Sequence, residues 1–458
     1  MLGFTNLVRY NKTFLLVIIS SVALYSFFAY DLARTDFTKL ILLYIALFVF
    51  AYQLVEKSGL NFKFLVGLGL LFRFIFLLAT PNLSQDFYRF IWDGQMLLEG
   101  FNPYLYTPDQ IMNQAGTKIP LAQDLYTGMG DLSASHFTNY PPLNQLCFAL
   151  AALFSSKSIL GSVIVMRLII IGADFGILYF GKKLLEALKL PSKRIFWYFL
   201  NPFIIIELTD NLHFEGVMLC FLIWGLYLLH SRKWQWAAVV FACSISTKLI
   251  PLMFLPLFFR WFNSDKTKKT PEFKGMTSLI LFYAIMGIIT LLSFLPFFSM
   301  EFIVNYSKTV GLWFNDFEFN ASIYYIARAI GYFISGYNEI AIIGKILPVV
   351  ILLIILGLTF LRQNNTLQKL IASMLLALAC YLFLSTTVHP WYIVTLVGLS
   401  VFTHYRFPLV WSLFIVLSYF AYSDPIYKEN LWIIAFEYSI VFGAFAWEVI
   451  LKRKLPVS

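Results

Sequence analysis

The stretch WAAVVFACSISTKLIPLMFLPLFF, residues 236–259, is 24 residues long and carries a single charge, Lys248. A helix of that length crosses about 30 Å of hydrocarbon once. Yet basic residues stand at both ends, with SRK at 231–233 on one side and Arg260 on the other. Basic loops stay on the cytoplasmic side of a membrane, so this run must begin and end on the same face. It fits two half-crossing helices that meet near Lys248 and Pro251. Proline limits the helix there, and non-helical backbone at membrane depth is tolerated where it lines a cavity.

The rest of the chain has the same character. Of 458 residues, 60% are hydrophobic and 13% charged, against about 25% charged in a soluble domain. Apolar runs of spanning length recur from end to end. The fold class expected is all-α: a polytopic helical membrane protein with about 13–14 transmembrane segments, the halves included. No alternating pattern of a membrane β-barrel is present. The net charge of +10 lies in short loops between apolar runs, which membrane topology accounts for without nucleic acid. Cys147, Cys220, Cys243 and Cys380 all lie within apolar stretches and read as small buried side chains. The first apolar run, about 13–30, follows Arg9 and Lys12 and is expected to be a retained span.

Charge bias orients the loops. GKKLLEALKLPSKR (181–194) and RWFNSDKTKKTPEFK (260–274) hold five basic residues each and are expected in the cytoplasm, with both termini. Segment 81–141 holds six acids and two bases and belongs outside. The apolar piece 143–154 is too short to cross and is expected along the outer surface. Three regions follow: two N-terminal spans in 1–60, a catalytic module in 61–260 with outer loop 81–157, and a C-terminal membrane region in 261–458. The last has outer loops at 298–339 and 389–392.

This topology gathers the unusual polar stretches on one face: DFYRFIWDG (86–94), NYPPLNQ (139–145, with Tyr140), ELTDNLHFE (207–215), Thr247 with Lys248, WFNDFEFN (313–320) and HPWY (389–392). On a helix, Asp86, Arg89 and Asp93 share a face. The apolar and aromatic residues around them suit a membrane boundary, and Gly94 followed by GFNPY (100–104) is expected to end that helix. Arg89 and Asp93 read equally as an ion pair or as ligand contacts. Asp86 suits a general base on an acceptor hydroxyl. Glu207, Asp210 or Asn211, and His213 read as cavity-facing groups, or else as a polar helix junction. Lys248 needs an anion, either a lipid phosphate or a carboxylate of Glu207 or Asp210. His389 could donate to phosphate, while its neighbours Trp391 and Tyr392 suit an aromatic belt. Trp313 and Asn315 suit a sugar, or a solvated loop tip. No P-loop, dinucleotide fingerprint, zinc spacing or nucleophile elbow occurs. No soluble segment is large enough to bind a nucleotide sugar on the cytoplasmic side, so a transferase of this kind should receive its activated donor through the membrane.

The ordered set D-x-Y-R-x-x-W-D-G, G-x-N-P-Y, Y-P-P-L, N-P…E…N-x-H, T-K…P, W-F-N-D-F-E-F-N and H-P-W-Y resembles bacterial polytopic mannosyltransferases of the GT-C superfamily over about residues 64 to 400. It is more distantly similar to the glycosylphosphatidylinositol mannosyltransferases. The resemblance implies a polyprenyl-phosphate sugar donor, an active site on the outer face of a bacterial plasma membrane, and a glycolipid or glycan acceptor. It implies inverting transfer, with Asp86 as catalytic base and with Lys248 and His389 placed to hold the phosphate. Arg89, Asp93, Tyr140, Glu207, Asp210, Asn211, His213, Trp313 and Asn315 are expected to contact substrates. Some relatives carry a D-x-D pair. Ser84 stands two residues before Asp86 here, so no metal and no other cofactor is expected. Two alternatives remain: the same mechanism with glucose, galactose or a pentose, and a flippase for lipid-linked sugars.

Overall fold

The computed structural model describes residues 12–114, 118–155, 157–263, 275–315, 317–424 and 427–452. Its principal helices are α1 (Lys12–Asp31), α2 (Phe37–Tyr52), α3 (Phe62–Ile75), α4 (Asp86–Leu98), α5 (Ala122–Ala134), α6 (Pro142–Ser155), α7 (Ile159–Ala187), α8 (Pro202–Asp210), α9 (Glu215–His230) and α10 (Trp234–Thr247). They continue with α11 (Gly275–Phe294), α12 (Met300–Asn315), α13 (Ile323–Ser335), α14 (Ile340–Phe360), α15 (Leu367–Leu384), α16 (Val394–Ser400), α17 (Phe407–Phe414) and α18 (Leu431–Phe445). Among the described residues there is no strand, only one isolated bridge between Phe319 and Thr387. The protein is an all-α polytopic membrane protein.

Among the described residues, seven stretches are long and apolar enough to cross a membrane alone: α1, α2 extended to Lys57, α7, α11 extended to Phe297, α14, α15 and α18 extended to Ile450. The bent pair of α8 and α9 makes an eighth candidate. Shorter apolar helices occur at Pro142–Ser155, Ile250–Asn263, Pro390–Ser400 and Phe407–Ser423. Among the described residues continuous spans are thus fewer than the 13–14 segments counted from sequence, halves included, because proline and changes of helical type divide several of those segments. The opening stretch shows how. α10 stops at Lys248, whose backbone is extended (φ −147°, ψ 143°), and a 3-10 helix runs from Ile250 to Leu257 with Pro251 at its start and Pro256 inside. Helix starts use side-chain caps: Asp36 accepts from the Lys39 N–H (3.0 Å), and Asn61 from the Phe64 N–H (2.8 Å).

The chain forms two compact units from interleaved segments. The first comprises the described residues up to Ser84, Ile170–Gly216 and those from His389 onward. Within it, α1 and α3 meet through Tyr25 and Phe72, ring centroids 4.9 Å apart. Arg73 on α3 and Asp174 on α7 form an ion pair (2.8 Å) with no exposure of either side chain. Their remaining bonds are filled: Arg73 also donates to the Phe199 carbonyl, and Asp174 accepts from the Tyr198 hydroxyl, each at 2.8 Å. A buried pair persists only when hydrogen-bonded in this way.

The second unit comprises Gln85–Ile169 and Val217–Val388. Its centre is α4, which packs against both α5 and α6. A Cβ at Gly94 would collide with the Phe148 carbonyl oxygen of α6, and one at Gly128 would lie 2.6 Å from the Tyr88 ring. The two glycines therefore let helix surfaces approach closely. This corrects the expectation for Gly94: α4 runs through it to Leu98, and the chain turns only at Gly100, where φ is +80°.

Candidate functional site

α4 places the acidic motif of the second unit. Asp86 is its first residue and half-buried, at the helix end where unsatisfied N–H groups favour negative charge. One turn on, the Arg89 Nε donates to Asp93 Oδ1 at 2.8 Å, both side chains being buried. The Arg89 Nη1 donates to the carbonyls of Ser133 (2.6 Å) and His136 (2.8 Å). Gln145 on α6 donates through Nε2 to Asp93 Oδ2 and to Thr138 Oγ1, each at 3.0 Å. Arg89 and Asp93 thus hold α4, α6 and the segment at 133–138 together, and their ion-pair reading is the one the geometry shows.

Tyr140 joins the same unit. Its ring meets Phe90 edge-on (5.0 Å) and Lys248 Nζ lies 5.6 Å from its centroid, a separation at which a cation is attracted to the ring face. The Tyr140 carbonyl accepts from the Tyr104 hydroxyl at 2.6 Å. Burial, first, and the nearby Tyr306 and Asp93 push the Tyr104 phenol well above its ordinary range, so it remains a donor. Lys248 itself stands where the α10 helix breaks. The side chains of Trp313 and Asn315 lie outside the described residues.

The first unit carries the other group. Residues Ile205–Asp210 form a π-helical turn, followed by Leu212 in a left-handed conformation (φ +61°). Non-helical and π turns of this sort recur at functional sites. Glu207, Asp210, Asn211, His213 and Glu215 are all buried. The Tyr419 hydroxyl donates to Glu207 Oε1 at 2.9 Å, and the His213 Nε2 lies 3.9 Å from Glu207 Oε2. Asn211 accepts from the Leu83 N–H at 3.2 Å. His213 stacks on Trp391 (centroids 3.7 Å), and so does His389 (4.5 Å, planes within 3°). His389 is half-buried at the start of the 3-10 turn Pro390–Ile393. The structure therefore brings Glu207, Asn211, His213 and His389 into one polar and aromatic cluster.

Sequence reasoning missed three members of these groups. Gln145 was visible at the end of NYPPLNQ but had no partner assigned. Trp391, taken for a membrane belt residue, is a stacking platform. Tyr419 had no local signal at all, because it meets Glu207 across 212 positions. Among the described residues no cluster of three or more His, Cys, Asp or Glu side chains has the arrangement of a metal site.

The chain matches the family model described as alpha-(1->6)-mannopyranosyltransferase, N-terminal domain, over residues 16–263, more than half its length. No curated protein matches it.

Proposed function

The chain belongs to the alpha-(1->6)-mannopyranosyltransferase family and is a multi-pass membrane mannosyltransferase; from that premise we infer that it moves mannose from a polyprenyl-phosphate donor to a glycan or glycolipid hydroxyl. We place the reaction on the outer face of a bacterial inner membrane, with an α-(1→6) linkage as product. The observation that carries this reading is Asp86, the half-buried first residue of a helix held on two sides by buried polar contacts. A catalytic carboxylate needs such a fixed mount.

In the proposed step the acceptor oxygen attacks the mannose C1 opposite the bond to phosphate. The new C–O bond forms as the C1–O phosphate bond breaks, and its electron pair leaves with polyprenyl phosphate. Asp86 takes the acceptor hydroxyl proton, and a β-phosphate becomes an α-mannoside. Lys248 offsets the charge that develops on the leaving phosphate, the usual way such sites lower a barrier. The step uses no metal, so transfer should proceed undiminished in excess chelator.

The test is transfer by purified protein from synthetic polyprenyl-phosphate mannose, with Asp86→Asn and Asp86→Ala beside wild type. Both variants should lose about 10²-fold or more, the scale of general-base catalysis. Variants as active as wild type would remove Asp86 from the role. Comparing glucosyl, galactosyl and pentosyl phosphates in the same assay checks the donor.

A further inference from the structure

The second unit holds a cleft of about 460 Å³ that the transfer chemistry does not use. One wall is Ser135, His136 and Phe137, and the other is α12, through Ser307, Lys308 and Thr309. We infer that this cleft binds a neutral sugar of the acceptor chain, beyond the one that receives mannose. The inference rests on the proposed transfer to a glycan acceptor.

Its size lies within the roughly 300–1,000 Å³ of small-ligand pockets. Its chemistry is that of a saccharide site. The Ser307 hydroxyl can donate and accept, those of Ser135 and Thr309 donate to the Leu132 and Asn305 carbonyls (3.1 Å each) and can still accept, and Phe137 offers an aromatic face for the C–H side of a pyranose.

The walls are held in place before any ligand arrives. The Tyr306 hydroxyl donates to the Asn139 carbonyl (3.3 Å), tying α12 to the 133–140 segment. Arg89 holds the carbonyls of Ser133 and His136 from behind. The His136 Nδ1 lies 2.7 Å from the Leu132 carbonyl, which can only accept. In the neutral ring Nδ1 therefore carries the proton, and Nε2 is left as an acceptor for a sugar hydroxyl. A wall fixed in advance loses little entropy on binding. Arg89 also lies three residues along α4 from Asp86, about 4.5 Å of helical rise, so the helix that carries the proposed base also holds one wall of the cleft.

The experiment uses full-length protein in detergent, with an α-(1→6)-linked mannotriose and methyl α-mannoside as acceptors. Phe137→Ala and Ser307→Trp should each raise KM for the trisaccharide about tenfold, the scale of one aromatic contact. The kcat and the methyl mannoside kinetics should not change. Equal changes for both acceptors, or none for either, would overturn the inference. Direct binding of mannotriose to Asp86→Asn protein, alone and combined with Ser307→Trp, separates the two readings. If wild type transfers nothing yet mannotriose binds and Ser307→Trp abolishes binding, the function fails and the cleft stands. If mannotriose does not bind, the cleft assignment fails whatever the transfer assay shows.

Discussion

Arg89 spends its guanidinium on Asp93 and two carbonyls, all within one buried patch. Removing one partner of such a pair strands the other charge, at a cost of about 3–5 kcal/mol. Arg89→Met should therefore lower the thermal midpoint in detergent markedly. Adding Asp93→Leu should recover part of that loss, and no recovery would mean that the pair is not the unit that matters. At Glu207, Tyr419→Phe removes a hydroxyl that donates to a buried carboxylate. The expected loss is about 1–3 kcal/mol. A double-mutant cycle with Glu207→Gln should show a coupling above about 0.5 kcal/mol; additive effects would refute the contact. Chemistry at single residues was partly legible in the sequence. Offsets of three and four on a helix placed Asp86, Arg89 and Asp93 together, but the carbonyls that complete Arg89 belong to another segment.

Between elements, closeness of approach is what α4 requires. A methyl at Gly94 meets backbone, which cannot rotate away, whereas one at Gly128 meets the Tyr88 side chain. Overpacking of this kind costs about 1–3 kcal/mol. Gly94→Ala should thus depress the folded yield and thermal midpoint more than Gly128→Ala; the reverse order would show that α4 and α6 can separate freely. Helix ends were legible where a residue type enforces them. The break predicted near Lys248 and Pro251 is present, because Pro251 cannot donate a backbone hydrogen bond. Gly94 misled, since a glycine that ends a helix and one that admits a neighbouring helix look the same in a linear sequence.

At the scale of the whole molecule, the proposed orientation puts residues 81–157 outside and 181–194 inside. In a background with the four cysteines replaced by alanine, Lys118→Cys should react with an impermeant maleimide on intact cells. Lys189→Cys should react only after permeabilisation. Both positions are exposed, so the opposite pattern would invert the topology. By itself the amino-acid sequence determined the all-α polytopic architecture, the broken run at 236–259 and the mannosyltransferase family, because apolar run length, proline and ordered motifs are local quantities. Tertiary structure alone decided that Gly94 is a contact point, that Tyr419 serves Glu207, that Trp391 carries two histidines, and that a cleft opens beside α12. Those depend on segments up to hundreds of positions apart, which are brought together by packing that no local period encodes.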